Sequence, residues 1–149
     1  ATACRIGGLT SHLSRENIDI LTSFGHSYGM AFQIVDDILD LVATDEQLGK
    51  PSGNDLMEGV YTLPVISAFS SDCGAQLKEI LGKKISVEER DKARALIRSS
   101  QGVSEALARA QFWTKEAASA LTELPDSEAT EALRAATTHL IQRASSPIV

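Results

Sequence analysis

The sequence predicts an all-α protein, a helical bundle, on three observations. Apolar residues recur at three- and four-residue steps along most of the chain, a spacing that places them on one face of a helix. No segment alternates apolar and polar residues as a half-buried strand would, and no Asn-Gly or Asp-Gly pair marks a hairpin. Only four prolines interrupt the 149 residues. We therefore expect about six helices around one core.

Two helices are predicted at the start of the chain. Residues 1–9 are mostly small or apolar and are typical of helix. Ser14 is a candidate N-cap for a long helix that ends near Val42, because apolar residues follow it at helical spacing throughout. Within that helix, Gly25 and Gly29 are four residues apart and would allow another helix to approach closely.

A loop and a short helix are predicted next. Residues 43–59 are rich in turn formers and are expected to be a polar loop. Thr62 with Pro64 is typical of an N-cap followed by proline in the first helical turn, so we expect a helix that ends near Ser70.

Three further helices are predicted in the C-terminal part of the chain. Ser86 has capping-box spacing with Glu89 and should begin a helix that ends near Gly102. Ser104 should begin the second helix, which stops before Pro125. Asp126 or Ser127 should begin the third.

Length and composition indicate one ordered domain over residues 1–149. Apolar residues make up 43% and charged residues 23%, ordinary values that argue against disorder. The formal charge of −6 argues against nucleic acid and anionic membranes as partners, because neither attracts an acidic surface. No apolar run is long enough for a transmembrane segment. Two cysteines are too few for a disulfide framework, so we expect a reducing, cytoplasmic location.

The long helix carries an acidic pattern, DDxxD, among apolar neighbours. Asp36, Asp37 and Asp40 are close enough along a helix for their carboxylates to be aimed at one neighbourhood. At a separation of ~6 Å and an effective dielectric constant of ~20, each pair would repel by about 2–3 kcal/mol. One explanation for three carboxylates this close together is a solvated acidic face. The other is a site for Mg²⁺, a hard cation that shares its coordination with substrate phosphates.

A lysine in the predicted loop favours the metal interpretation. Lys50 follows Asp40 by ten residues and lies between Gly49 and Gly53. An ammonium there could bind a diphosphate whose charge a metal has only partly neutralised, although a solvated loop lysine is the simpler alternative. The glycines fit neither a Walker loop nor a dinucleotide fingerprint, which excludes two common phosphate sites.

These motifs resemble the second aspartate-rich region of trans-isoprenyl (polyprenyl) diphosphate synthases. The resemblance rests on FQIVDDILDL at 32–41, GKPSGNDL at 49–56 and TLP at 62–64, and extends from Ala3 to Ile66. It implies a helical bundle of the isoprenoid synthase type, of which this chain would be the C-terminal half. It also implies a Mg²⁺-dependent prenyltransferase, which joins an allylic diphosphate to isopentenyl diphosphate and so forms a longer polyprenyl diphosphate.

The resemblance also implies roles for individual residues. Carboxylates would hold Mg²⁺ against the allylic diphosphate and so assist its departure. The implied metal ligands are Asp36, Asp37 and Asp40. The implied catalytic residues are Asp36, Asp37 and Lys50. The implied substrate-binding residues are Phe32, Gln33 and Lys50.

The sequence departs from the family pattern in two ways. It contains one DDxxD motif where the family has two that face each other, and Val60 stands where close relatives often have lysine. The change at Val60 removes a possible diphosphate contact and favours the longer-chain synthases. Because one motif is missing, we expect a fragment of a longer synthase that is inactive alone. The alternatives are a non-catalytic regulatory or small subunit and a structural helical bundle. A terpene cyclase is disfavoured, because its second metal motif is missing.

An apolar strip on the long helix predicts self-association. The helices of this chain are not expected to cover all of Phe24, Tyr28, Phe32 and Val35. Because large uncovered apolar surfaces drive association, we expect a homodimer or a higher oligomer.

Overall fold

A computed structural model describes residues 1–49 and 51–145. Most of these residues are helical and none forms a β-strand, which confirms the predicted all-α class. In chain order the helices are α1 (Thr2–Thr10), α2 (Arg15–Val42), α3 (Asp45–Leu48), α4 (Asn54–Glu58), α5 (Leu63–Ala68), α6 (Gly74–Ile80), α7 (Val87–Ser99), α8 (Gly102–Ala120) and α9 (Glu128–Ser145), with a 3₁₀ turn at Leu121–Glu123. In the described ranges, no helix combines the length and apolar character needed to cross a membrane.

The chain forms two compact units. Residues 15–33 of α2 belong to the first unit and residues 34–42 to the second. The prediction of a single all-helical domain over residues 1–149 stays a prediction. The two units consist of Ala1–Gln33 with Arg109–Arg143, and of Ile34–Ala108 with Ala144.

The predicted caps explain where the long helices begin. The Ser14 hydroxyl accepts a hydrogen bond from the Asn17 N–H at 3.2 Å, at the start of α2. Ser86 forms the predicted capping box at the start of α7, and the Ser127 hydroxyl accepts from the Thr130 N–H at 3.1 Å at the start of α9. Each bond satisfies a backbone donor that lacks a partner within the helix.

Several helix boundaries differ from those predicted. Helices α5 and α7 end earlier, at Ala68 and Ser99, and α8 begins at Gly102 rather than Ser104. The predicted loop at 43–59 contains α3 and α4, and α6 was not predicted. These three helices have only four to seven residues, too few to show a helical period in the sequence.

The core of the first unit lies around Phe24. This side chain is 2% exposed and packs with Ala117 and Leu121, while its ring stacks on Tyr28 at a centroid distance of 5.6 Å. The apolar strip that remains uncovered on α2 is therefore smaller than predicted. Phe24 and Val35 are buried within their own units and Tyr28 is half-buried, but Phe32 is 45% exposed.

Helix α1 approaches α2 closely at Gly25. A Cβ atom at Gly25 would lie 2.7 Å from Cys4 Sγ and 3.1 Å from Ala1 Cα, whereas one at Gly29 would meet nothing within 4 Å. The prediction of a close helix contact is confirmed at the first glycine and is wrong at the second.

We expect Gly25→Ala to lower the free energy of unfolding by about 1–3 kcal/mol. Gly29→Ala, its matched control, should be neutral or stabilising by up to about 1 kcal/mol. Chemical denaturation measures both, and equal effects would contradict the contact.

The core of the second unit surrounds α7, which contacts α4, α5 and α6. Its fully buried side chains include Ile38 and Leu41 from α2, Leu56 from α4, and Ile97 from α7. The end of α2 that carries the acidic pattern is thus fixed by burial of its apolar residues, and its aspartates occupy the remaining positions.

Candidate functional site

The three aspartates of α2 differ in their exposure. Asp36 is exposed, Asp37 is half-buried, and Asp40 is buried with 5% of its surface exposed. Their positions cover an arc of about 100° around the helix, with Asp40 between Asp36 and Asp37. The burial of Asp40 therefore does not follow from its position around the helix, and it coincides with the contacts that Gly53 and Asp55 make to this residue. Within 1–49 and 51–145, no three His, Cys, Asp or Glu side chains form a group able to hold a metal. The three carboxylates therefore do not by themselves make a preformed metal site, and their roles as ligands stay predictions.

Asp40 has an incompletely satisfied carboxylate. Its Oδ2 accepts one long hydrogen bond, from the Asp55 N–H at 3.4 Å, and its buried Oδ1 has no hydrogen-bond partner among the described residues. Burying a carboxylate oxygen without a partner is costly. Hard oxygen donors of this kind suit Mg²⁺, so the residues present fit the cation that the sequence predicts.

The chain after α2 folds back onto the end of that helix. The Gly53 N–H donates to the Asp40 carbonyl oxygen at 2.7 Å. Gly53 has a φ of +72°, and a Cβ there would lie 2.7 Å from Arg94 Cδ, so this position requires glycine. Helix α3 is fixed by a capping box between Thr44 and Gln47.

Asp45 stabilises the segment that follows α2 through hydrogen bonds with Ser52. Its Oδ1 accepts hydrogen bonds from the Ser52 hydroxyl at 2.6 Å and the Ser52 N–H at 2.8 Å. These bonds, the hydroxyl bond first, hold the pKa of Asp45 below its usual value of 3.8. Because the folded protein lowers this pKa, the carboxylate stabilises the fold above about pH 4, and this stabilisation disappears as the pH falls through the lowered value.

We therefore expect the stability difference between wild type and Asp45→Asn to depend on pH. The variant should melt at a lower temperature near pH 7, and the difference should shrink as the pH falls below about 4. Thermal unfolding followed by circular dichroism at several pH values measures this. Glu46→Gln, a substitution of the adjacent exposed residue, is the control. A constant difference between wild type and Asp45→Asn would contradict the assignment.

The remaining predicted site residues are only partly visible. Lys50 lies outside the described residues, so its catalytic and substrate-binding roles stay predictions. Phe32 and Gln33 are exposed in the first unit, and the Phe32 ring lies 6.4 Å from that of Tyr28. Their exposure is compatible with contact to a ligand, but their substrate-binding roles also stay predictions.

No sequence pattern indicates the contacts that Arg94 and Ser52 make near this site. Arg94 on α7 donates to the carbonyl oxygens of Leu41 and Ala43 at 3.1 and 2.9 Å. These partners are 53 and 51 residues away in the chain, so no local pattern could show the contact. Ser52 contacts Asp45 across seven residues, which in a helix would lie about 10 Å apart along the axis, so helical spacing does not predict this hydrogen bond.

Comparisons with known proteins identify relatives over most of the chain. The family model described as "Polyprenyl synthetase" matches residues 1–99. A relative from Geobacillus stearothermophilus, heptaprenyl diphosphate synthase component 2, is 36% identical over 134 residues, which are 90% of this chain and 42% of that protein. The chain thus spans less than half the length of this curated relative.

Solved structures show the same fold. The geranylgeranyl pyrophosphate synthase of Corynebacterium glutamicum, complexed with calcium and isoprenyl diphosphate, superposes with a TM-score of 0.84 at 36% identity. The polyprenyl synthase of Caulobacter crescentus, complexed with the same two ligands, gives 0.86 at 28% identity. Each match covers 94% of this chain and 44% of the solved chain. With its DDxxD helix and its all-α architecture, the chain belongs to the polyprenyl synthetase family.

Proposed function

We propose that this chain supplies the diphosphate-binding and metal-binding aspartates of a polyprenyl diphosphate synthase. The reaction would join an allylic diphosphate to isopentenyl diphosphate and give a longer polyprenyl diphosphate. The observation that carries the proposal is the buried Asp40 carboxylate, with an oxygen that lacks a partner among the described residues, one turn after the exposed Asp36. Calcium and isoprenyl diphosphate in two structural relatives support the same ligand chemistry.

Each predicted residue has a task in this reaction. Asp36, Asp37 and Asp40 would hold Mg²⁺ and so orient the diphosphate of the allylic substrate. Mg²⁺, when bound, supplies Lewis-acid assistance to the loss of the diphosphate. The Lys50 ammonium binds phosphate oxygens of the same group, as a point charge that needs no fixed geometry.

The organic step balances without an oxidant or reductant. The allylic carbon–oxygen bond breaks, and its electron pair leaves with the diphosphate. The double bond of isopentenyl diphosphate then forms a new carbon–carbon bond to the allylic carbon, and a proton is lost to the departing diphosphate. Phe32 and Gln33, which precede the aspartates on α2, would contact the substrate next to the reacting carbons.

Residues 1–149 are not expected to complete this reaction alone. They contain one DDxxD motif, and opposing carboxylates are needed on the other side of the substrate. We expect the isolated chain to show little or no prenyl transfer, and we propose a cytoplasmic enzyme that works as a homodimer or higher oligomer. A non-catalytic subunit is the second candidate. The name of one relative, component 2, indicates a synthase that has more than one component, but the intact DDxxD and Lys50 argue against a non-catalytic role for this chain.

A prenyl-transfer assay on the complete protein that contains these residues tests the proposal. Labelled isopentenyl diphosphate is supplied with an allylic diphosphate, with Mg²⁺ or with a chelator, and products are separated by chain length. We expect elongated product only when both diphosphates and the metal are present. Absence of product under all conditions would favour the non-catalytic subunit.

A further inference from the structure

The carboxyl end of α2 has carbonyl oxygens that the helix itself cannot satisfy. The Leu39 carbonyl still has its helical partner, the Ala43 N–H at 2.9 Å, but the Asp40 carbonyl accepts from the Gly53 N–H, outside the helix, at 2.7 Å. The Leu41 carbonyl is satisfied by a side chain from another helix, since Arg94 Nε donates to it at 3.1 Å. No glycine cap ends this helix, so a distant arginine performs part of the capping.

The Arg94 side chain is shaped for this position. Two nitrogens of one planar guanidinium bind two carbonyls, Nε to Leu41 and a terminal nitrogen to Ala43 at 2.9 Å. This fork fixes both the distance and the angle between α7 and the last turn of α2, which a lysine ammonium does not. The positive charge also lies at the negative end of the helix dipole.

The same side chain lies between α2 and the returning chain. Arg94 Cδ would be 2.7 Å from a Cβ at Gly53, and Arg90 Cδ 3.1 Å from it, so the two arginine stems pack directly on the Gly53 backbone. Gly53 in turn donates to the Asp40 carbonyl. Arg94 thus contacts both of the segments that meet at Asp40.

The charge of Arg94 is near the buried Asp40 carboxylate. Burial, followed by the neighbouring charge of Arg90, lowers the pKa of Arg94, while the charges of Asp91 and Asp40 raise it. An arginine remains cationic under such shifts.

We propose that Arg94 is a positioning residue, which fixes the last turn of α2 and the Gly53–Asp55 backbone so that Asp40 is held for ligand binding. This inference rests on the proposed function. Arg94 acts through the backbone of α2 and does not itself touch the substrate. It lies on α7, outside the motif-bearing segments of the sequence.

Two measurements on the complete protein test this role. The first is calorimetric titration with pyrophosphate in the presence of Mg²⁺, and the second is amide hydrogen exchange at Gly53 and Asp55. The main variant is Arg94→Lys, which keeps the charge but loses the fork. The matched control is Arg98→Ala, which removes an exposed arginine one turn later on α7. Thermal unfolding confirms that each variant is folded.

We expect Arg94→Lys to weaken Mg²⁺-dependent pyrophosphate binding by about tenfold or more, as loss of a supporting hydrogen bond around a metal site typically does. Exchange at Gly53 should accelerate, because its bond to Asp40 depends on the fixed end of α2. Arg98→Ala should match wild type in both measurements. A merely structural role would lower the melting temperature of Arg94→Lys without changing the affinity of the folded protein.

The outcomes separate the two proposals. If wild type binds pyrophosphate in Mg²⁺, and Arg94→Lys shows the same affinity and the same exchange as Arg98→Ala, the role of Arg94 is overturned. The proposed function then stays intact. Wild type that binds no pyrophosphate in Mg²⁺ would contradict the proposed function and, with it, this inference.

If Arg94→Lys does not fold, Arg90→Ala serves instead. It removes the second arginine stem from Gly53 but leaves both carbonyl bonds of Arg94, so exchange at Gly53 and affinity are both expected to match wild type. Loss of affinity there equal to that expected for Arg94 would contradict the specific role of the guanidinium.

Discussion

Asp36→Ala is expected to lower kcat/KM for prenyl transfer by about 10²- to 10⁴-fold in the complete protein. Lewis-acid assistance by a metal is worth several kcal/mol in the transition state, and each 1.36 kcal/mol is a factor of ten in rate. Asp36 is the best position for this test because it is exposed on a long helix, so alanine should leave the fold intact. Steady-state kinetics over a range of Mg²⁺ concentrations measures the effect.

Asp19→Ala is the matched control for this substitution. Asp19 is another exposed aspartate on α2, and its ion pair with Arg5, at 3.2 Å, lies on the surface. Such pairs contribute at most about 1 kcal/mol to stability, and none of the predicted site residues is involved. We expect wild-type kinetics from Asp19→Ala. Similar losses in both variants would show that negative charge on α2 matters only in a general way.

Gly74→Ala and Gly102→Ala are expected to be the most destabilising additions of a single methyl group. A Cβ atom at Gly74 would lie 2.1 Å from the Phe69 carbonyl oxygen, and one at Gly102 would lie 2.3 Å from the Pro64 carbonyl oxygen. Backbone atoms cannot move aside as flexible side chains do, so α6 or α8 must shift. We expect each variant to lose about 3 kcal/mol or more of unfolding free energy.

Gly7→Ala provides the control for these two variants. This glycine also lies in a helix, but a Cβ atom there would meet nothing within 4 Å. Alanine should be neutral or stabilising by up to about 1 kcal/mol at such a position. Urea denaturation measures all three variants. If Gly102→Ala proves as stable as Gly7→Ala, the close contact between the start of α8 and α5 is absent.

The elements that could be predicted from sequence are those with local physical signals. Helix α2 shows apolar residues at helical spacing over 28 residues and begins at a serine cap, and α7 begins with a capping box. The short helices α3, α4 and α6 have no comparable signal, because four to seven residues contain at most two turns. Their formation depends on capping and on contacts with the rest of their unit.

The candidate site was predictable in composition but not in arrangement. The spacing of Asp36, Asp37 and Asp40 places them near each other on α2, yet spacing alone cannot show that one is exposed and another buried. That difference arises from how α2 packs in its unit. The contact between Arg94 and the end of α2 joins residues more than 50 positions apart, and only the folded chain brings them together.

The proposed function requires that the α2 aspartates bind diphosphate in a metal-dependent way. Calorimetric titration of pyrophosphate into the complete protein, once with Mg²⁺ and once with a chelator, measures this most directly. We predict that pyrophosphate binds in Mg²⁺, does not bind in the chelator, and binds at least about tenfold more weakly to Asp36→Ala. Equal affinity with and without the metal, or unchanged affinity in Asp36→Ala, would contradict it.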